Sequence, residues 1–195
     1  MSKVHAIIGL GNPGAQYAHT RHNAGAWLVE ALAREGLETL RPERKFLGDY
    51  AKVRFKGHEL HLLVPSTYMN RSGQAISLLA KFFKLTSDQL LVAHDELDIP
   101  VGQARYKQGG GHGGHNGLRD TISALGNDNA FHRLRIGIDH PGDAKLVTNY
   151  VLGTPGKAER QAIDAAIEQS IATLPDALEG QWARAMNRLH SFKGQ

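Results

Sequence analysis

Val4 to Leu10 is largely apolar and β-branched and is closed by Gly11-Asn12-Pro13-Gly14, the pattern of a buried strand that ends in a tight loop. After a polar stretch, Ala24 to Glu35 spaces its apolar residues at helical intervals and stops at Gly36, which predicts a helix opening near Asn23. Phe46 to Phe55 and Glu59 to Val64 read as strands joined by a Lys56-Gly57-His58 turn, a hairpin. A second helix is predicted over Gly73 to Lys84. Leu90 to Ala93 is a short buried strand that runs into His94-Asp95-Glu96-Leu97-Asp98, and Arg133 to Ile138 alternates like another strand. Between them lie a glycine-rich loop and a short helix from Asn116 to Leu125. Lys157 to Leu174 is predicted helical, broken at Pro175, with a further helical stretch reaching Asn187. Strands alternating with helices give an α/β class, and the hairpin argues for a mixed sheet. The Pro-Gly breaks at 141–142 and 155–156 read as loops inside one domain spanning residues 1–195, because composition does not change across them.

Composition changes this picture little. The chain has 195 residues, 41% hydrophobic and 22% charged, an ordinary globular balance. The absence of cysteine excludes disulfides, thiolate zinc sites, Fe–S clusters and cysteine nucleophiles. The first apolar run is too short to span a membrane and lacks a signal-peptide pattern, so a cytoplasmic protein is expected. A net charge of +4 permits an anionic partner without resembling a polybasic protein.

Gly9-Leu10-Gly11-Asn12-Pro13-Gly14 fits G-x-G-x-x-G after a strand, the first half of a dinucleotide fingerprint. The second half is missing: the helix opens only at Asn23, and no acidic residue ends a second strand, which leaves a tight glycine turn. The same loop carries Asn12, Tyr17, Thr20, Arg21, His22 and Asn23. His22 lies near a helix N-terminus, where the dipole is expected to lower its pKa and keep it neutral as a base. Asp95, at the end of a buried strand, is the natural carboxylate to orient it, with Glu96 and Asp98 as competitors. Asn70 sits at a strand-to-helix junction, either as a cap or as a hydrogen-bond donor to a substrate carbonyl, and Tyr68 can pack on a peptide or a nucleoside. The string Gly109-Gly110-Gly111-His112-Gly113-Gly114-His115-Asn116-Gly117 suits a mobile lid or close backbone approach to a ligand. Asn116 is then either an N-cap or a substrate-facing amide. His112 and His115, with His22, Asp95 and Asp98, raise a metal site, against which stand the pliable glycines and the lack of H-E-x-x-H. No G-x-S-x-G nucleophile elbow occurs. Arg105, Lys107, Arg119, Arg133 and Arg135 flank the glycine string, and Arg184, Arg188 and Lys193 follow in the tail, a plausible surface for a polyanion.

Gly9 to Gly14, Thr20-Arg21-His22-Asn23-Ala24-Gly25, Thr67-Tyr68-Met69-Asn70, His94 to Asp98 and Gly109 to Gly117, in this order and spacing, resemble the bacterial-type peptidyl-tRNA hydrolase family over essentially the whole chain. The resemblance implies a single-domain three-layer α/β/α fold with a twisted mixed sheet, a cofactor-free and metal-free monomer, and hydrolysis of the ester between a peptide and the 3′ ribose of tRNA. By the same resemblance His22 is the base that activates water and Asp95 holds it in its basic form. Asn12, Asn70 and Asn116 line the peptide cleft, with Asn12 helping to select N-blocked peptides, and Tyr17, Tyr68 and Met69 complete the pocket. His115 and Gly113 belong to its mobile rim. Lys107 and Arg135 clamp the terminal phosphate of the acceptor stem. Tyr68 stands where the family more often has phenylalanine. Three other readings compete: a dinucleotide-dependent oxidoreductase, an RNA-binding relative without catalysis, and a metal-dependent hydrolase.

Overall fold

In the computed structural model, which describes residues 3–193, the first apolar run forms β1 (Ala6–Gly9), every residue of it buried. A short 3₁₀ turn (Arg21–Asn23) leads into α1 (Ala24–Glu35), which carries its apolar face inward and ends at Gly36 as predicted. There follow β2 (Arg41–Glu43), β3 (Gly48–Phe55), β4 (His58–Pro65), α2 (Ser72–Phe82), β5 (Leu90–Glu96), β6 (Ala104–Gln108), α3 (Asn116–Ala124), β7 (His132–Gly137), α4 (Val147–Val151), α5 (Lys157–Leu178) and α6 (Trp182–His190).

The strands form one sheet in the order β2-β3-β4-β1-β5-β7-β6. Its centre is parallel, through the pairs β4–β1, β1–β5 and β5–β7, and both edges are antiparallel, through β2–β3–β4 and β6–β7. Residues alternate between two cores because each strand sends successive side chains to opposite faces. Ile7, Leu91, Ala93, Leu134 and Ile136 pack under α1, α5 and α6, whereas Ile8, Leu90 and Val92 pack under α2 and α3. The result is the three-layer mixed α/β/α arrangement. The chain leaves β1 toward one face and β4, its neighbour, toward the other, so the crevice beyond their C-terminal ends is where an open α/β sheet gathers ligands.

Four elements depart from the sequence reading. Pro175 does not end a helix; α5 runs on to Leu178. Proline removes one backbone donor and crowds the preceding turn, but Ile171, Leu174, Ala177 and Leu178 are all buried on either side of it, and that packing holds the helix. The three-residue β2, the strand β6, in which Ala104 and Tyr106 point inward and Arg105 and Lys107 alternate with them, and the five-residue α4 were missed.

Candidate active site

The parallel register of β1 and β5 sets Gly9 opposite Ala93, so the chain emerges after both strands on the same side. The Leu10 N–H donates to the Ala93 carbonyl (3.0 Å) and the Ala26 N–H to the Leu10 carbonyl (3.2 Å), docking the start of α1 on the sheet. Two glycines permit this approach. A Cβ on Gly25 would lie 2.2 Å from the Ala93 carbonyl oxygen, and one on Gly9 would lie 2.3 Å from that of Gly25. His22, in the turn before α1, is thereby lowered onto the end of β5, where its Nδ1 lies 2.8 Å from Asp95 Oδ2. Arg21 braces the turn from behind: Nε and Nη2 donate to Glu159 (2.7 and 3.1 Å) and Nη1 to the Tyr150 carbonyl (2.9 Å).

Asp95 is buried and receives a second imidazole, His115, whose Nε2 lies 2.8 Å from Oδ1. The His115 Nδ1 accepts from the Gly117 and Leu118 N–H groups (3.1 and 3.3 Å), so its proton resides on Nε2 and points at Asp95. His115, not Asn116, is therefore the cap of α3. Burial by itself would raise the Asp95 pKa, but His22 and His115, by charge and hydrogen bond, hold it well below the usual carboxylate range. The ionised Asp95 takes the Nδ1–H of His22, which leaves the lone pair on Nε2. Burial pulls the His22 pKa down, yet the charge and hydrogen bond of Asp95 outweigh it and raise the value above that of an ordinary imidazole. This reverses the expectation of a dipole-lowered pKa: His22 precedes the cap residue Asn23, and a full negative charge at 2.8 Å exceeds the partial charge of a helix end.

His94 carries a role that sequence reasoning did not assign. Its Nδ1–H donates to the Asp95 carbonyl (2.8 Å), and its ring stands edge-on to His115. Burial and the neighbouring His115 bring its pKa down to about 3, so it stays neutral beside the pair it supports. His22, Asp95 and His115 place one ligand atom each within 4.8 Å of one another, whereas His112 and Asp98 are not part of that group. Both Asp95 oxygens already accept an imidazole N–H, which accounts for the cluster as a hydrogen-bonded relay.

These groups open on a cleft of about 540 Å³ that Asn12, Tyr68, Met69, Asn70, Gly113, His115 and Asn116 also line. Asn12 is held firmly. Its N–H donates to Asn23 Oδ1 (2.8 Å), Asn23 Nδ2 donates to its carbonyl (2.9 Å), and its Oδ1 accepts the Met69 N–H (2.7 Å), which leaves the Nδ2 end for the cleft. Asn70 does not cap α2, whose cap is Arg71, and Asn116 accepts from Arg119 Nη1 (3.0 Å). The opposite wall, Val147, Val151 and Leu152 of and beside α4, is apolar and was not foreseen. Half-buried Tyr17 lies outside the cleft-lining set, as do exposed Lys107 and half-buried Arg135, which sit on β6 and β7 at either end of the glycine string and α3. The loop after β1 does not run directly into α1, since nine residues lie between Gly14 and α1, and so lacks the phosphate cradle of a dinucleotide fold.

An unpaired imidazole nitrogen at a crevice among amide groups, fixed from behind by a buried carboxylate, has the elements that general-base hydrolysis needs, here on a three-layer mixed α/β fold. The comparisons make the class specific. A family model described as peptidyl-tRNA hydrolase matches residues 6–195, and the chain belongs to that family. It is 75% identical to the peptidyl-tRNA hydrolase of Chromohalobacter salexigens over 192 residues, covering 98% of this chain and 99% of the relative. Identity to that of Marinobacter nauticus is 61% over 187 residues, covering 96% and 95%. The crystal structure of peptidyl-tRNA hydrolase from Acinetobacter baumannii superposes with a TM-score of 0.95 at 46% identity, covering 100% of this chain and 98% of that one.

Proposed function

We propose that the chain hydrolyses the ester joining the terminal carbonyl of a peptide to the 3′ ribose of tRNA, with His22 as general base. His22 Nε2 takes a proton from water as the oxygen adds to the ester carbonyl; the tetrahedral oxyanion then expels the ribose oxygen, which recovers the proton from the imidazolium. Free tRNA and a peptide acid result, and no covalent enzyme intermediate is needed. Asp95 keeps the His22 proton on Nδ1 and offsets the imidazolium charge. Asn12, Asn70 and Asn116 supply amide hydrogen bonds to the oxyanion and the peptide backbone, and Asn12 contributes to selecting N-blocked substrates. Tyr68 and Met69 form one wall, His115 and Gly113 the rim, and Tyr17 the approach. Lys107 and Arg135 take the terminal phosphate of the acceptor stem. The protein works as a cytoplasmic monomer, without metal or cofactor; no helix among the described residues is long and apolar enough to cross a membrane.

The observation that carries this reading is the 2.8 Å contact between His22 Nδ1 and buried Asp95, aimed so that the other ring nitrogen faces the cleft. The test is release of the N-blocked amino acid from an N-acetylated aminoacyl-tRNA by the purified protein in excess chelator. Cleavage that continues under chelation and spares the unblocked aminoacyl-tRNA is expected. Failure to cleave removes the proposal, and cleavage abolished by chelation transfers the chemistry to a metal.

A further inference from the structure

The glycine string is fastened at its ends and open between them. At the far end His115 is tied to Asp95 and to α3. At the near end the Gly109 N–H donates to the Phe131 carbonyl (3.1 Å), Asn129 Nδ2 to the Gly110 carbonyl (3.1 Å), and Arg133 donates Nη2 to Gly110 and Nη1 to Gly111, both at 2.5 Å. A Cβ on Gly111, Gly113 or Gly114 would meet nothing within 4 Å.

Arg133 is 2% exposed, and its two terminal nitrogens are engaged by neutral carbonyls, not by a carboxylate. Its Nε, like those of Arg105 and Arg135, is buried without a hydrogen-bond partner. The β6–β7 register sets Lys107 directly opposite Arg133 and Arg105 opposite Arg135, so these cations share one face of the sheet edge. Lys107 also bends over the loop: a Cβ on Gly110 would lie 2.8 Å from its Nζ. The lysine of the phosphate site and the arginine that staples the loop therefore meet at the same glycine. Burial and the charge of Arg135 work against the Arg133 cation, and an anion arriving at this face relieves that repulsion.

We propose that Arg133 is a positioning residue that couples occupancy of the phosphate site at Lys107 and Arg135 to the order of the 109–115 loop, and through His115 to the Asp95–His22 pair. A correctly seated tRNA end then raises turnover as well as affinity. The inference rests on reading Lys107 and Arg135 as the phosphate clamp.

The experiment measures kcat and KM for N-acetylated aminoacyl-tRNA with and without its 5′-terminal phosphate. For the unmodified protein, removing the phosphate is expected to raise KM and to lower kcat, the latter roughly tenfold. For Arg133→Gln, KM is expected still to respond to the phosphate, while kcat becomes the same on both substrates and equal to that of the dephosphorylated one. An Arg133→Gln protein that keeps the full kcat response, or that loses the same factor on both substrates, overturns the coupling, the second result marking a plain structural prop. Lys107→Ala combined with Arg135→Ala separates the underlying reading: if that protein still distinguishes the two substrates in KM, the clamp assignment fails and the coupling with it. Should Arg133→Gln not fold, amide hydrogen exchange across 109–115 in the unmodified protein decides. Protection by a phosphorylated acceptor-stem RNA but not by its dephosphorylated form supports the coupling, and equal protection by both overturns it.

Discussion

The chemistry of His22 is set by one neighbour. Asp95 orients the ring, keeps its proton on Nδ1 and raises its pKa against the effect of burial. Catalysis by a base requires the neutral imidazole, so the acid limb of kcat/KM is expected to lie above the pH at which an ordinary histidine titrates. In Asp95→Asn the charge is gone and burial remains, so the His22 pKa falls: the acid limb is expected to move to lower pH while the maximum drops by roughly a hundredfold or more. An unmoved limb in the pH profile of that variant would contradict the assignment. The sequence made the histidine conspicuous but left Asp95, Glu96 and Asp98 as rivals. The choice is made by the continuation of β5 to Glu96, which keeps Asp95 in the sheet opposite Ile136 of β7, just past the point where β1 ends opposite Ala93. His94 went unnoticed because its work is done through a ring proton to a backbone carbonyl, a contact that spacing does not advertise.

At the scale of elements, long periodic segments were legible and short ones were not. α1, the β3–β4 hairpin and α2 follow from the period of their apolar residues, within a few residues at each end. β2 is only three residues long with Pro42 at its centre, and α4 has five residues, too few for any period to show. β6 did alternate, but its two cations drew attention as charges and hid it as a strand. The glycines that matter most are those at helix–strand contacts, which no local pattern flags. Gly25→Ala is expected to force α1 away from the Ala93 carbonyl, because backbone on both sides cannot yield. Overpacking of this kind costs roughly 1–3 kcal/mol, a Tm lower by about 3–10 °C. Turnover should fall further than stability alone explains, since His22 is carried off Asp95 with the helix. Thermal unfolding and an activity assay check this together; a variant unchanged in both would show that α1 does not set the pair.

Across the whole molecule, the proposed function assigns bond cleavage and tRNA holding to different parts of one sheet. The His22–Asp95 pair lies beyond the parallel centre, at β1 and β5, whereas Arg105, Lys107, Arg133 and Arg135 are brought onto one face by the antiparallel edge pair β6–β7. A net charge of +4 gave no hint of this concentration; the register of the edge strand creates it. Since most affinity for a nucleic acid comes from phosphate contacts, removing the base should leave tRNA binding nearly intact. The decisive measurement is single-turnover cleavage of N-acetylated aminoacyl-tRNA by His22→Ala alongside the affinity of the same protein for that substrate. The account expects turnover lower by about 10²–10⁴ with affinity little changed; cleavage at close to the unmodified rate would contradict it.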